Sequence, residues 1–168
     1  MLDKQIREQI IALINREVVP AVGCTEPMCV SLCVARATET LGFCHEKITV
    51  LLSSNILKNA MGVGIPGTGM IGLPIAVALG ALVGKSEYQL EVLKDLTPET
   101  LEKGKQYING NHIDIRLKSG ITEKLYVEVR CEAEGHVATA IIAHAHTNFV
   151  FVEFSRSEER FSRNAETD

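Results

Sequence analysis

The chain has 168 residues, 46% hydrophobic and 23% charged, a mix that argues against disorder and suffices to bury a core without metal or disulfide staples. Lys and Arg total 17 against 21 Asp and Glu, for a formal charge of −4, and aromatic residues make up 5% with no Trp. Neither a basic phosphate-binding surface nor a base-stacking platform is expected, which sets nucleic acid aside as a partner.

Asp3 is placed to cap a first helix over 3–18, in which Ile6, Ile10, Leu13 and Ile14 recur near helical spacing and Pro20 ends the run. The GCTEP segment, Gly23 to Pro27, reads as a loop opening a second helix, with Thr25 as cap and Pro27 in the first turn. Val30, Val34, Ala37 and Leu41 give that helix an apolar stripe, and Gly42 stops it. Lys47 to Ser53 alternates weakly and predicts a strand.

From Asn59 to Gly84 no residue is charged, a length that would suit a membrane span, but seven of the 13 glycines and two prolines interrupt it. A buried glycine-rich loop leading into a buried helix from Pro74 to about Val83 is the expectation, with no membrane. Thr97-Pro98-Glu99 opens a further helix that ends at Asn109-Gly110. Four strand-like runs follow: Ile113 to Leu117, Leu125 to Cys131, His136 to His146 and Phe149 to Phe154, with turns at Ser119-Gly120 and Glu134-Gly135.

The fold class is therefore α+β: N-terminal helices around a buried glycine-rich loop and helix, followed by an antiparallel β meander. Residues 1–154 are expected to form one domain, and 155–168, SRSEERFSRNAETD, a charged disordered tail.

The cysteines are five, four of them between residues 24 and 44. The N-terminus MLDKQIREQI is charged where a signal peptide needs an apolar run, so a reducing cytoplasm is the expected compartment. Cys24 precedes a helix N-terminus, where backbone N–H groups and the helix dipole favour a thiolate; that suits a nucleophile, a metal ligand or a loop cysteine without a role. Cys29 and Cys33 share a helix face and read as core residues. Cys44 and His45 are half of a zinc pattern with no second pair nearby.

Two overlapping G-x-G-x-x-G strings, Gly62-Gly64-Gly67 and Gly67-Gly69-Gly72, lack the strand-to-helix context of a dinucleotide site. The PGTG turn within them could still aim N–H groups at an anion such as a carboxylate. Lys58, followed by the uncharged stretch, is a general-base candidate if buried and a surface lysine if exposed. His144 and His146, two apart in a predicted strand, would share a face.

Taken together, GCTEP, SSNILKN, GIPGTGMIGLPIAVALGALVG and HTNFVFVE resemble, in this order from Glu17 to Glu153, the L-cysteine desulfidases, which are similar to the α-subunit-like part of iron–sulfur serine dehydratases. The resemblance implies an oxygen-sensitive lyase that converts L-cysteine to pyruvate, ammonia and sulfide on a 4Fe–4S cluster, without pyridoxal phosphate. Three cysteines hold such a cluster and one iron stays open as a Lewis acid. Carried onto this sequence, Cys24 matches a cluster-ligand position, and the other family ligands lie in a C-terminal half that this sequence lacks.

Lys58 and His146 fall in matching motifs as candidate bases. Thr25, Glu26, Asn55, Asn59, Gly67, Thr68 and Gly69 make up the expected substrate-binding set, for L-cysteine or L-serine. The chain is thus read as the N-terminal part of such a lyase, incomplete alone, and as a homo-oligomer or the partner of a missing C-terminal half. The other reading is a non-catalytic domain that binds a small amino acid or a protein.

Overall fold

A computed structural model describes residues 3–42 and 45–156. Helix α1 (Lys4–Glu17) starts as expected, with the Asp3 carboxylate accepting from Gln5 N at 2.8 Å. None of its residues is buried, and Ile6, Ile10, Leu13 and Ile14 all face solvent. Helix α2 (Thr25–Leu41) begins one residue earlier than expected: Cys24 is the N-cap, and Thr25 already lies in the helix. Gly42 closes it in the left-handed region at φ +76°, its N–H donating to Thr38 O. The predicted stripe is present, but Met28, Cys29, Leu32 and Cys33 are fully buried as well. α2 is the central element of the core: every residue from Pro27 to Ala35 is buried, and Arg36 and Glu39 further along are exposed.

Strand β1 (Lys47–Leu52) follows, and then a helix that the sequence reading passed over, α3 (Ser54–Met61), which buries Ile56 and Ala60. The glycine-rich segment is a small hairpin, β2 (Gly64–Ile65) and β3 (Met70–Ile71), turning at Pro66 to Gly69. Helix α4 (Leu73–Leu82) then packs on α2, where Ser31 Oγ donates to Ala76 O at 2.8 Å. Hairpin and short helix together break up the uncharged stretch, and no described helix is long and apolar enough to cross a membrane. A 3-10 turn over Ser86–Glu91 leads to α5 (Pro98–Asn109), which has the predicted bounds. Thr97 and Thr100 cap it reciprocally, each backbone N–H donating to the other's hydroxyl at 2.9 and 3.2 Å.

Strands β4 (Ile113–Leu117), β5 (Tyr126–Ala133), β6 (His136–Ala143) and β7 (Phe149–Arg156) complete the sheet, in the order β4-β1-β5-β6-β7. β5, β6 and β7 form the expected antiparallel meander. β1 inserts between β5 and β4 and runs parallel to β4, so the sheet is mixed. β7 continues to Arg156, past the predicted start of the tail; residues 157–168 lie outside the described residues, as does Cys44.

One sheet face is apolar and carries the helices: Ile48, Val50, Leu52, Val127, Val129, Ala138, Ala140 and Ile142 are buried there, and Cys33 Sγ donates to Ala140 O at 3.3 Å. The opposite face carries Glu128, Arg130 and Thr139, with Glu128 bonded to Lys118 Nζ at 2.7 Å and to the Tyr126 hydroxyl at 2.8 Å. Two hydrogen bonds tie loops together at one end of the sheet: Ser53 N donates to Tyr126 O at 3.0 Å, and His144 N to Leu125 O at 3.2 Å.

Candidate active site

The first turn of α2 presents Cys24, Thr25 and Glu26. The Cys24 thiol donates to Glu26 Oε2 at 3.0 Å, and the Thr25 hydroxyl donates to the same oxygen at 3.2 Å. The other carboxylate oxygen lies 4.0 Å from His146 Nε2, an ion pair only with the imidazole protonated. Residues from the two ends of the sequence thus meet around one carboxylate.

His146 reaches Glu26 from a turn, not from a strand. β6 ends at Ala143, and Asn148 closes the chain on itself: its Nδ2 donates to Ala143 O at 3.0 Å, and Ala143 N donates back to Asn148 O at 3.2 Å. His144 occupies the left-handed region at φ +71° and is exposed. The expectation that the two histidines share a strand face is therefore corrected.

The electrostatics differ from a simple helix-terminus thiolate. Burial, and next the hydrogen bond to ionised Glu26, push the Cys24 thiol up. Chiefly that same hydrogen bond holds the Glu26 carboxyl below its ordinary range, against the effect of burial. Glu26, in the first helical turn, takes the dipole's stabilisation, and Cys24 rests as a protonated donor. Glu26→Gln is therefore expected to speed alkylation of Cys24 by iodoacetamide several-fold at pH 8, read by mass spectrometry of the Cys24 peptide. A rate equal to or below that of the unchanged protein would show that Glu26 does not restrain the thiol.

The glycine hairpin adjoins this loop: Gly23, at φ +92°, faces Pro66 so closely that an added Cβ would fall 2.6 Å from Pro66 Cγ. A cavity of about 430 Å³ touches both segments at Val22, Pro66 and Gly67, but the rest of its lining comes from the segment between Leu93 and Leu101, and Cys24, Glu26 and His146 do not line it. The hairpin is not the open anion cradle that the sequence suggests, because it uses many of its polar groups internally. Thr68 Oγ1 donates to Ile65 O at 2.6 Å and accepts from Met70 N at 2.9 Å. Thr68 N and Gly72 N donate to Ile65 O and Val63 O.

Of the nominated residues, Cys24, Thr25, Glu26 and His146 come together, with Gly67, Thr68 and Gly69 in the adjoining hairpin. Asn55, Lys58 and Asn59 lie exposed on α3, where Lys58 makes no hydrogen bond or ion pair among the described residues.

A 4Fe–4S cluster needs three thiolates. Among the described residues Cys24 alone is a partly exposed cysteine; Cys29, Cys33 and Cys131 are fully buried in the core. Burial pushes the Cys29 and Cys131 thiols up to about 12 and the Cys33 thiol well above its ordinary value. These residues do not fit a cubane; they offer one ligand.

No family model and no solved structure matches this chain. Its close homologues are named UPF0597 proteins, a name that states no activity. The protein of Phocaeicola vulgatus is 70% identical over 152 residues, covering 90% of this chain and 35% of that protein. One from Bacteroides fragilis is 73% identical over 146 residues, covering 87% and 34%. One from Aeromonas hydrophila is 45% identical over 143 residues, covering 85% and 32%. The chain spans about one third of the length of the curated relatives it matches.

Proposed function

We propose, on the premise that the homologous UPF0597 proteins share this fold and site, that the chain is the base-bearing part of a lyase. The lyase would eliminate sulfide or water from L-cysteine or L-serine, as the resemblance to the cysteine desulfidases implies. One observation carries the reading: Cys24, Glu26 and His146, nominated from motifs 120 residues apart, gather around a single carboxylate.

In this reading His146 Nε2 takes the substrate α-proton, and the imidazolium so formed is held by ionised Glu26. The Cβ–S bond breaks and hydrosulfide leaves. The aminoacrylate tautomerises to the imine, and water converts it to pyruvate and ammonia. Cys24 would supply one thiol to a cluster whose other ligands come from outside this chain.

The test is a chimera in which this chain's sequence replaces the matching third of the Phocaeicola vulgatus relative, assembled anaerobically with iron and sulfide. Pyruvate and sulfide from L-cysteine are expected from the chimera and not from the 168-residue chain alone. His146→Gln is expected to lower kcat by about a hundredfold or more with KM little changed. A folded chimera that makes no pyruvate from either amino acid would overturn the lyase and leave a binding domain.

A further inference from the structure

The two edges of the sheet differ in kind. β4 is short, five residues, and its Asp114 and Arg116 pair with each other on the outside. Charge and shortness are the usual ways in which a natural edge is protected from pairing. β7 is longer, and its only charged residues are Glu153 and Arg156. It is eight residues long, with no Lys or Pro, and among the described residues no strand pairs with its outer side.

Its helix-side face is apolar, and its other face is mixed, with Phe151 beside Glu153 and Ser155. Register places Val152 and Phe154 opposite Ala140 and Ala138 on the helix-bearing face, and Phe151 opposite Ile141 on the other. Val150, Phe151, Val152 and Phe154 are each between 38% and 48% exposed. A long unpaired edge that exposes this much apolar surface suits a partner that continues the sheet and covers those side chains.

The relatives say what that partner is made of. Roughly two thirds of each lies outside the match, so in them this fold is joined to a polypeptide about twice its size. We infer that the outer edge of β7 is the docking surface for that remaining part of a UPF0597 polypeptide, which adds a strand along residues 149–156. The occupant is a specific second body, not another copy of this chain.

Hydrogen exchange, compared between the 168-residue chain and the chimera described above, tests this. The amides of 149–156 that point away from β6 are expected to exchange fast in the chain alone and to be protected at least tenfold in the chimera. Val152→Lys is expected to lower Tm by several degrees in the chimera and by little in the chain alone. Equal exchange at 149–156 in the two proteins, or an equal Tm loss, would overturn the inference.

The whole Phocaeicola vulgatus relative, whose folding depends on no graft, is expected to protect its matching strand, and fast exchange there would count equally against it. Protection in the chain alone that is lost on dilution would assign the edge to a second copy instead. These measurements read protection and stability rather than turnover, so they fail or succeed independently of the lyase reading.

Discussion

Gly80→Ala is expected to destabilise the protein by about 2 kcal/mol, although glycine is a poor helix residue and alanine the best. By propensity alone the exchange would gain about 1 kcal/mol. Packing decides the other way. Gly80 is where α4 crosses α2, and a Cβ there would stand 2.7 Å from Ser31 O and 3.0 Å from Ser31 Cα. Both obstacles are backbone and cannot swing aside, so the helices must separate. Ser31 Oγ, bonded to Ala76 O one turn earlier in α4, would lose its geometry as they did. α2 also packs on the sheet, so its displacement strains the layer beneath.

For a chain of this size 2 kcal/mol lowers Tm by about 4–8 °C. Gly80→Val should remove a larger share of the total, which is about 5–15 kcal/mol for an ordinary domain. Gly62→Ala is the control: nothing lies within 4 Å of its added Cβ, and its backbone is at φ −100°. Tm should then move by no more than a degree or two. A Gly80→Ala protein as stable as the parent would show that α2 and α4 do not approach so closely.

Local chemistry was legible in the sequence, and long-range pairing was not. Thr97-Pro98-Glu99 and Asn109-Gly110 bounded α5 because caps and breakers act within one turn of their own position. Alternation marked the strands β4 and β5, and apolar runs marked β6 and β7. α3 places Ile56, Leu57, Ala60 and Met61 at helical spacing, but over only two turns, too short a run to stand out beside the polar residues around it. The parallel partnership of β1 and β4 joins segments some sixty residues apart, and nothing local specifies it.

The site divides in the same way. Cys24 and Glu26 meet because GCTEP places them two residues apart. His146 reaches them from the turn after β6, which the Asn148 side chain closes onto Ala143. The sign of the Cys24 shift was missed for a related reason. A helix N-terminus favours a thiolate, but burial of Cys24 and its hydrogen bond to the Glu26 carboxylate push the thiol the other way.

Gly23→Ala is expected to act on stability and site together, because Gly23 joins the loop that carries Cys24 to the hairpin that carries Gly67 to Gly69. Its backbone, at φ +92°, is one that L side chains rarely adopt, at a cost of about 1–2 kcal/mol. The new Cβ would also lie 2.6 Å from Pro66 Cγ and 2.9 Å from Pro66 Cδ, overpacking that adds about 1–3 kcal/mol. A total loss of about 3 kcal/mol follows if neither loop yields. If the Cys24 loop yields, the thiol moves off Glu26 and its alkylation rate rises, as for Glu26→Gln.

Pro66→Ala separates the two contributions. It removes the obstructing ring carbons and leaves the backbone strain, so Gly23→Ala should cost at least about 1 kcal/mol less in that background. If the two changes simply add to within about 0.5 kcal/mol, the loops do not touch. The site would then be the α2 terminus and His146 alone, with the glycine hairpin no part of it.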